Sequence, residues 1–540
     1  MKINLYKKEI IFFVILAFFS FFLMFKTFRV TNGGEMKIAT KVWSDFAATI
    51  PLVRSFSLGN NFPPEYPLFA GPHIRYHFIF YMLVGFLEKV GLRLDLALNL
   101  LSAIGFFLLL LIIYFLGEKI FKKKSVGVLT VVLFLFNGSL SFLEFFKTHS
   151  ISSQIISAII NSKEFASFGP YDGKIISAFW SLNIFTNQRH LAFAYFFFLL
   201  LILLCYHYFE EKKIISKKEI LAISLMIGLF PFFHLAVFGM MEIALGVLFL
   251  VLPKFRKEVF VIGLISLAFA LPQIIYMGPP QVHLKIFQPG YLIPNPNLLN
   301  FVNYWVLNLG LTIILAPIGV LFAKKEDRKF ILPFLALFIV GYIFRFSPEA
   351  AANHKFFNLF LIGANLFSAN ALVTFWNKNN LGKVLVVLSF LLVTLSGIID
   401  LFPIINDSYI SIRDKDSPAR AFILKNTSAK SVFLNTTYLY DPASLAGRKI
   451  YLGWPYFSWS AGYNTDARFS SMQKILSGAD KNSLCNLLNQ EGIDYIEIQN
   501  PTTLEETIVN YTFFNRNFIN IFKDPNLNIS IFDVKGSCKK

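Results

Sequence analysis

The sequence predicts a polytopic α-helical membrane protein of about eleven transmembrane helices, followed by a separate C-terminal α/β domain. Three observations carry that prediction. Hydrophobic residues make up 55% of the 540-residue chain and charged residues 15%, with a mean hydropathy of +0.59, an apolar excess that no soluble core explains. Apolar stretches of about 20 residues, the length that crosses about 30 Å of hydrocarbon, recur from Ile10 to Phe402 and then stop. The basic residues behind the net charge of +18 gather in short segments between those stretches, which is the positive-inside pattern and not a nucleic-acid surface.

Taken in order, the expected spans are 10–27, 96–117, 125–145, 190–208, 219–236, 237–253, 258–276, 301–323, 330–345, 356–376 and 384–404. The first follows Lys7 and Lys8, and Lys26-Thr27-Phe28-Arg29 offers no small-residue cleavage site, so it reads as an uncleaved span. With the N-terminus in the cytoplasm, Lys119/Lys122/Lys123/Lys124, Lys212/Lys213/Lys217/Lys218, Lys254/Arg256/Lys257, Lys324/Lys325/Arg328/Lys329 and Lys378/Lys383 all fall in cytoplasmic loops. Counting Tyr76–Val90 as a span would invert every later loop. Its Tyr76, His77, Tyr81, Glu88 and Lys89 suit a helix lying at the headgroup level instead.

That threading divides the chain into a membrane domain, 1–404, with long outer loops at 28–95, 146–189 and 277–300, and an extracytoplasmic domain, 405–540. Loops of that length are more often functional than spacers. In the C-terminal part, strand-like runs at 430–436, 449–453, 493–499 and 518–534 alternate with helix-like stretches at 417–425, 466–477 and 481–491. Cys205, Cys485 and Cys538 allow one disulfide at most. There is no phosphate-binding glycine loop, no metal-spaced His/Cys cluster, no nucleophile elbow and no internal repeat.

Asp45, in Trp43-Ser44-Asp45-Phe46 just after the first span, precedes a helix-like stretch Ala47–Ser57 that closes at Gly59. A carboxylate there can take the proton of a hydroxyl nucleophile, or simply complement the dipole of its own helix. A Pro-rich run, Asn60 to His77, leads into the interfacial segment. An acid after the first span, a short helix ending in Gly, a Pro-rich turn, an aromatic interfacial helix and a basic loop after the second span resemble the GT-C glycosyltransferases. Within them the arrangement is most similar to the mannosyltransferase and lipid-A-modifying type, which use polyprenyl-phosphate-linked sugars. The resemblance covers roughly residues 1–210 and is one of arrangement more than identity. Where that family often has a second acid, this chain has Phe46, so a metal-assisted variant is disfavoured.

The resemblance implies an inverting transfer of a sugar from a polyprenyl-phosphate donor to a glycan, lipid or protein acceptor on the outer face, with Asp45 as general base. A departing lipid phosphate needs cations at the membrane boundary. Arg189 in Asn187-Gln188-Arg189-His190 and His354 and Lys355 in Asn353-His354-Lys355 are the candidates, with Arg345 nearby in sequence; each also fits an interfacial anchor. Arg75, His77, Trp454 and Tyr463 form a possible substrate loop, since aromatic faces stack on sugar rings as readily as they build cores. Glu144, Glu164, Asp172 and His234 rank below these. No cofactor or resident metal is expected, a divalent cation stays open, and no nucleic acid is a partner. A transporter or flippase, or a non-catalytic cell-surface polysaccharide assembly protein, are the alternatives, and the absence of repeats and of mid-membrane charge pairs speaks against transport.

Overall fold

The computed structural model describes residues 6–137, 139–169, 173–504 and 507–539. Helices cover each of the eleven expected segments, but among the described residues seven are long and apolar enough to cross a membrane, or eight if the bent pair Leu298–Leu309 and Thr312–Phe322 is one span. Lys124–Leu135, Lys217–Gly228 and Leu332–Ile343 have 12 residues each, about 18 Å of helix, well short of the hydrocarbon thickness.

The breaks have local causes. Pro231 opens the helix Pro231–Val251, where its fixed φ suits the first helical position and its missing N–H costs nothing. The bent pair turns by 82° at Gly310, whose φ of 54° is cheap only without a side chain. Ile79–Lys89, in the segment expected at the headgroups, is an 11-residue helix, about 16 Å long and too short to span.

The chain divides into two compact units: one of 1–27, 99–273 and 284–408, the other of 28–98, 274–283 and 409–540. The first holds the long apolar helices. Its helices approach through small residues: a Cβ on Gly319 would lie 1.8 Å from the Phe367 carbonyl oxygen, so only glycine lets Thr312–Phe322 seat against His354–Trp376. Asn370 then donates to the Gly319 carbonyl at 3.1 Å. Around them Trp305 packs on Phe338 and Phe357, with ring centroids 4.5 and 4.6 Å away.

The second unit joins residues 28–98 to the C-terminal residues. Strands β1 (Phe28–Val30), β2 (Glu35–Ala39) and β3 (Tyr409–Arg413) form one antiparallel sheet. Strands β4 (Val432–Asn435), β5 (Lys449–Ile450), β6 (Tyr495–Gln499), β7 (Ile519–Asp524) and β8 (Ile529–Asp533) form a second, in the order β5-β4-β6-β8-β7. Helices Pro418–Asn426, Asp466–Ser477 and Lys481–Gln490 complete the expected α/β pattern. A disulfide joins Cys485 to Cys538. Backbone hydrogen bonds from Ala70 to Ile450, Ile450 to Pro67 and Gly453 to Leu68, 2.7 to 3.0 Å long, stitch the Pro-rich run to the C-terminal chain. Beneath them Arg54 pairs with Glu88 at 3.1 Å and Asp414 at 2.8 Å, and Arg420 meets Asp414 at 2.9 Å. The helix Ile79–Lys89 is thereby anchored through its own acid, Glu88.

Candidate active site

Asp45 lies in the first turn of the helix Trp43–Ser57, which starts four residues earlier than the sequence pattern predicts. Its carboxylate is half-buried and its charge reaches three phenols. Burial first, and then Asp45 among their neighbours, push up the Tyr66, Tyr81 and Tyr440 hydroxyls, so all three stay protonated as donors. Tyr440 donates to the Trp43 carbonyl, and Tyr81 hydrogen-bonds with Thr49 and Tyr76. Phe46 explains why no second acid stands beside Asp45: it is fully buried and packs edge-on against Phe28 at 5.2 Å.

In the same unit, Tyr463 is fully buried, with Tyr66 stacked at 5.8 Å and Phe69 at 4.6 Å. Its hydroxyl donates to the His73 carbonyl at 3.1 Å and accepts from the Arg75 N–H at 2.9 Å. The Arg75 guanidinium donates to the Pro279 carbonyl and lies 5.6 Å over the Tyr463 ring. These contacts shape the Pro-rich run and leave neither face of Tyr463 to a sugar. His77 stacks on Tyr81 at 6.2 Å. Trp454 is half-buried beside Tyr456 and Phe457, at 5.3 and 4.9 Å, and Tyr456 is 40% exposed, so this group retains accessible aromatic surface.

The cation candidates belong to the other unit. Arg189 is 1% exposed, and burial draws its guanidinium down to about 9. It donates to the Thr186 carbonyl at 2.7 Å, Asn99 at 3.3 Å, the Thr27 hydroxyl at 2.6 Å and the Met24 carbonyl at 3.3 Å. Those bonds tie the end of the first span to the helix that Arg189 precedes.

His354 is the first residue of the helix His354–Trp376 and is held on three sides. Its Nδ1 lies 2.8 Å from Asn358 Oδ1 and its Nε2 3.3 Å from the Gln188 amide nitrogen, while its ring stacks on Phe179 at 4.9 Å. Asn358 Oδ1 can only accept, so Nδ1 carries the proton and Nε2 accepts from Gln188.

Two histidines join this group. His190 is the N-cap of the helix Leu191–Glu211, and His234 sits at a break in Pro231–Val251, with φ −167° and ψ 95°. There its Nδ1 accepts the Val237 N–H at 3.3 Å, starting the helix afresh. The two rings are 5.2 Å apart, and the charge of half-buried Lys355 reaches His190, His234 and His354. Burial, then His234 and Lys355, hold the His190 imidazole well below its usual range. Three helix N-termini, three imidazoles and one ammonium thus converge. Helix N-termini carry positive partial charge and open N–H groups, an arrangement chemically able to receive an anion.

His190 stood in the sequence segment singled out for Arg189, and His234 at an outer turn among the lesser candidates. The signal for grouping them was available in the threading, where the spans beginning near His190, His234 and His354 run in the same direction. Among the others, Glu144 pairs with Lys147 at 2.7 Å, Arg345 donates to the Ser347 carbonyl at 2.9 Å, and Asp172 lies outside the described residues.

No family model matches this sequence and no curated protein does. Solved structures match its fold. An oligosaccharyltransferase from Archaeoglobus fulgidus in the apo form aligns over 91% of this chain and 69% of its own, with 12% identity and a TM-score of 0.54. The arabinofuranosyltransferase AftD from mycobacteria aligns over 99% of this chain and 42% of its own, with 12% identity and a TM-score of 0.54. ArnT from Cupriavidus metallidurans, bound to undecaprenyl phosphate, aligns over 99% of this chain and 100% of its own, with 9% identity and a TM-score of 0.54.

Proposed function

We propose that this chain, whose fold is that of the GT-C membrane glycosyltransferases, transfers a sugar from a polyprenyl-phosphate donor to an acceptor on the outer face of the membrane, with inversion at the anomeric carbon. The observation that carries the reading is the convergence of Lys355, His190, His234 and His354 at three helix N-termini. A polyprenyl phosphate monoester is the anion that such a fold would present there: ArnT was solved with undecaprenyl phosphate and an archaeal oligosaccharyltransferase with dolichol-phosphate and an inhibitory peptide.

In the reaction the acceptor hydroxyl oxygen attacks the anomeric carbon, the bond from that carbon to the phosphate oxygen breaks, and the hydroxyl proton passes to Asp45. The electron pair leaves with the lipid phosphate. Lys355 and the Nε2–H of His234, whose Nδ1 accepts from Val237, stabilise the charge that develops on it, while His354, with both ring nitrogens engaged, fixes the start of the helix that carries Lys355. Arg189 acts through structure, holding the helix that starts at His190, and the tyrosines near Asp45 steady its carboxylate in a polar setting. The outer location is supported by the basic loops and by the Cys485–Cys538 disulfide, which belongs in an oxidising compartment. A glycan, a lipid and a protein all remain acceptor classes for test, and the chemistry asks for no organic cofactor.

The test uses purified full-length protein in lipid nanodiscs with a panel of radiolabelled polyprenyl-phosphate sugars and membrane-extract acceptors, with and without a chelator. Transfer from one donor, lost in Asp45→Asn without loss of donor binding, supports the reading. Full transfer by Asp45→Asn overturns the base assignment, and absence of binding to every polyprenyl-phosphate sugar overturns the donor class.

A further inference from the structure

The five-stranded sheet of the second unit contains a cluster that the transfer reaction does not use. Strand β4 runs parallel to both of its neighbours, β5 and β6. The chain leaves β4 for β5 on one side and later reaches β6 on the other. The carboxyl ends of β4 and β6 therefore flank the point where the winding reverses, which is where open α/β sheets take up ligands.

Three oxygen-bearing side chains meet at that point. Asn435 ends β4 and is in register with Glu497 of β6, so both side chains leave the same face from strands about 4.8 Å apart. Asp441 follows the loop out of β4 and accepts the Ser444 N–H at 2.8 Å on one oxygen. Asp441 lies beside Asn435, and its charge reaches Glu497. Each of the three is 1% exposed. The Asn435 amide reaches Asp441 and the Ala443 backbone N–H reaches Glu497, but neither contact is well aligned, and no well-aligned partner meets the Glu497 oxygens or the Asn435 amide atoms. Among the described residues no Lys or Arg pairs with Asp441 or Glu497.

Two buried carboxylates without a counter-charge are costly and call for a proton or a metal ion. A shared proton would bridge two carboxyl groups and leave the Asn435 amide oxygen idle, whereas one cation can engage all three side chains. The donors are all oxygen, the preference of hard divalent cations. A dry, protein-supplied site favours calcium over magnesium, which gives up its water reluctantly. We propose that Asn435, Asp441 and Glu497 form a calcium site at the switch point of the C-terminal sheet, independent of the transfer chemistry.

The test uses full-length protein in nanodiscs, stripped with chelator and dialysed against radioactive calcium alone or magnesium alone. The expected result is one calcium ion per chain, a thermal midpoint that rises with calcium until the site fills, and a weaker response to magnesium. Glu497→Gln keeps the shape of the side chain and should lose both the bound ion and the calcium-dependent rise. Asn435→Ala should weaken binding about tenfold or more. If the stripped wild type binds no calcium, or if Glu497→Gln still binds one ion per chain, the proposal is overturned. A Glu497→Gln protein as stable as wild type in chelator, with no ion on either, assigns the cluster to a buried proton instead.

Discussion

The two units each bury a polar cluster of one character, and they manage burial by opposite means. At the helix N-termini of the membrane unit, His190, His234 and His354 are imidazoles, which can be buried neutral and still offer an N–H. Beside strands β4 and β6 of the second unit, Asp441 and Glu497 are carboxylates, which offer only lone pairs unless protonated. Burial draws His190 down and pushes Glu497 up, with Asp441 adding to the rise; in both the neutral form gains. The consequences differ. A neutral histidine already satisfies its surroundings and can wait for an anion at little cost, while a buried carboxylate pair must recruit a proton or a cation to exist. Resting stability and ligand readiness are compatible in the first cluster and coupled in the second.

The sharpest test of that contrast removes the acid that lies outside both clusters. Asp45→Asn should lower transfer by about a hundred- to ten-thousand-fold, the range of general-base catalysis, with an unchanged thermal midpoint; a comparable drop in the midpoint would make Asp45 a structural acid like the other two. Next in size, Arg54→Ala takes from Glu88 its paired cation while Asp414 keeps Arg420, and should cost about 3 kcal/mol of stability, read by chemical denaturation. With Glu88 then held by the Ser57 hydroxyl without a counter-charge, protease access to Ile79–Lys89 should rise with it. Lys355→Ala removes charge-assisted bonds worth about 1.5–3 kcal/mol and should raise the KM for the lipid donor by about 10- to 100-fold with little change in affinity for the acceptor. The smallest effect is on pH dependence. His190 has a folded value below its unfolded value of 6.5, so the unfolded state binds the extra proton and stability is complete above about pH 6.5. It should fall as pH drops below that value, by at most about 1.4 kcal/mol per unit, and His190→Gln should flatten the slope in a pH series of thermal midpoints.

What the sequence made legible was local. Apolar length revealed the helical segments, and alternation placed the strand run at 493–499 beside the observed Tyr495–Gln499. The helix after the first span was read as starting two residues beyond its acid, and Trp43–Ser57 extends back to include Asp45, because the start lacks a capping side chain that would have marked it. The breaks were harder. Pro231 and Gly310 cut apolar runs that hydropathy averages over, so the expected boundary at 236–237 falls within Pro231–Val251, just past its break at His234. Long-range pairing left no trace at all. Nothing in Glu35–Ala39 announces β3 as its partner, and Asn435 and Glu497 look like ordinary strand residues until the register sets them side by side. The expected division at residue 404 follows position along the chain, whereas contacts assign 28–98 to the C-terminal residues.

That discontinuous sheet sets a schedule for making the protein. Lys37 of β2 and Ser411 of β3 are 374 residues apart, so at about 5–20 residues per second of synthesis β2 waits roughly 20–75 s for its partner. Throughout that interval an edge with unpaired backbone groups is available to other chains. Its short length and its charged residues, Glu35 and Lys37, are features that discourage such pairing. Chaperones would meet this segment long before the last strand emerges.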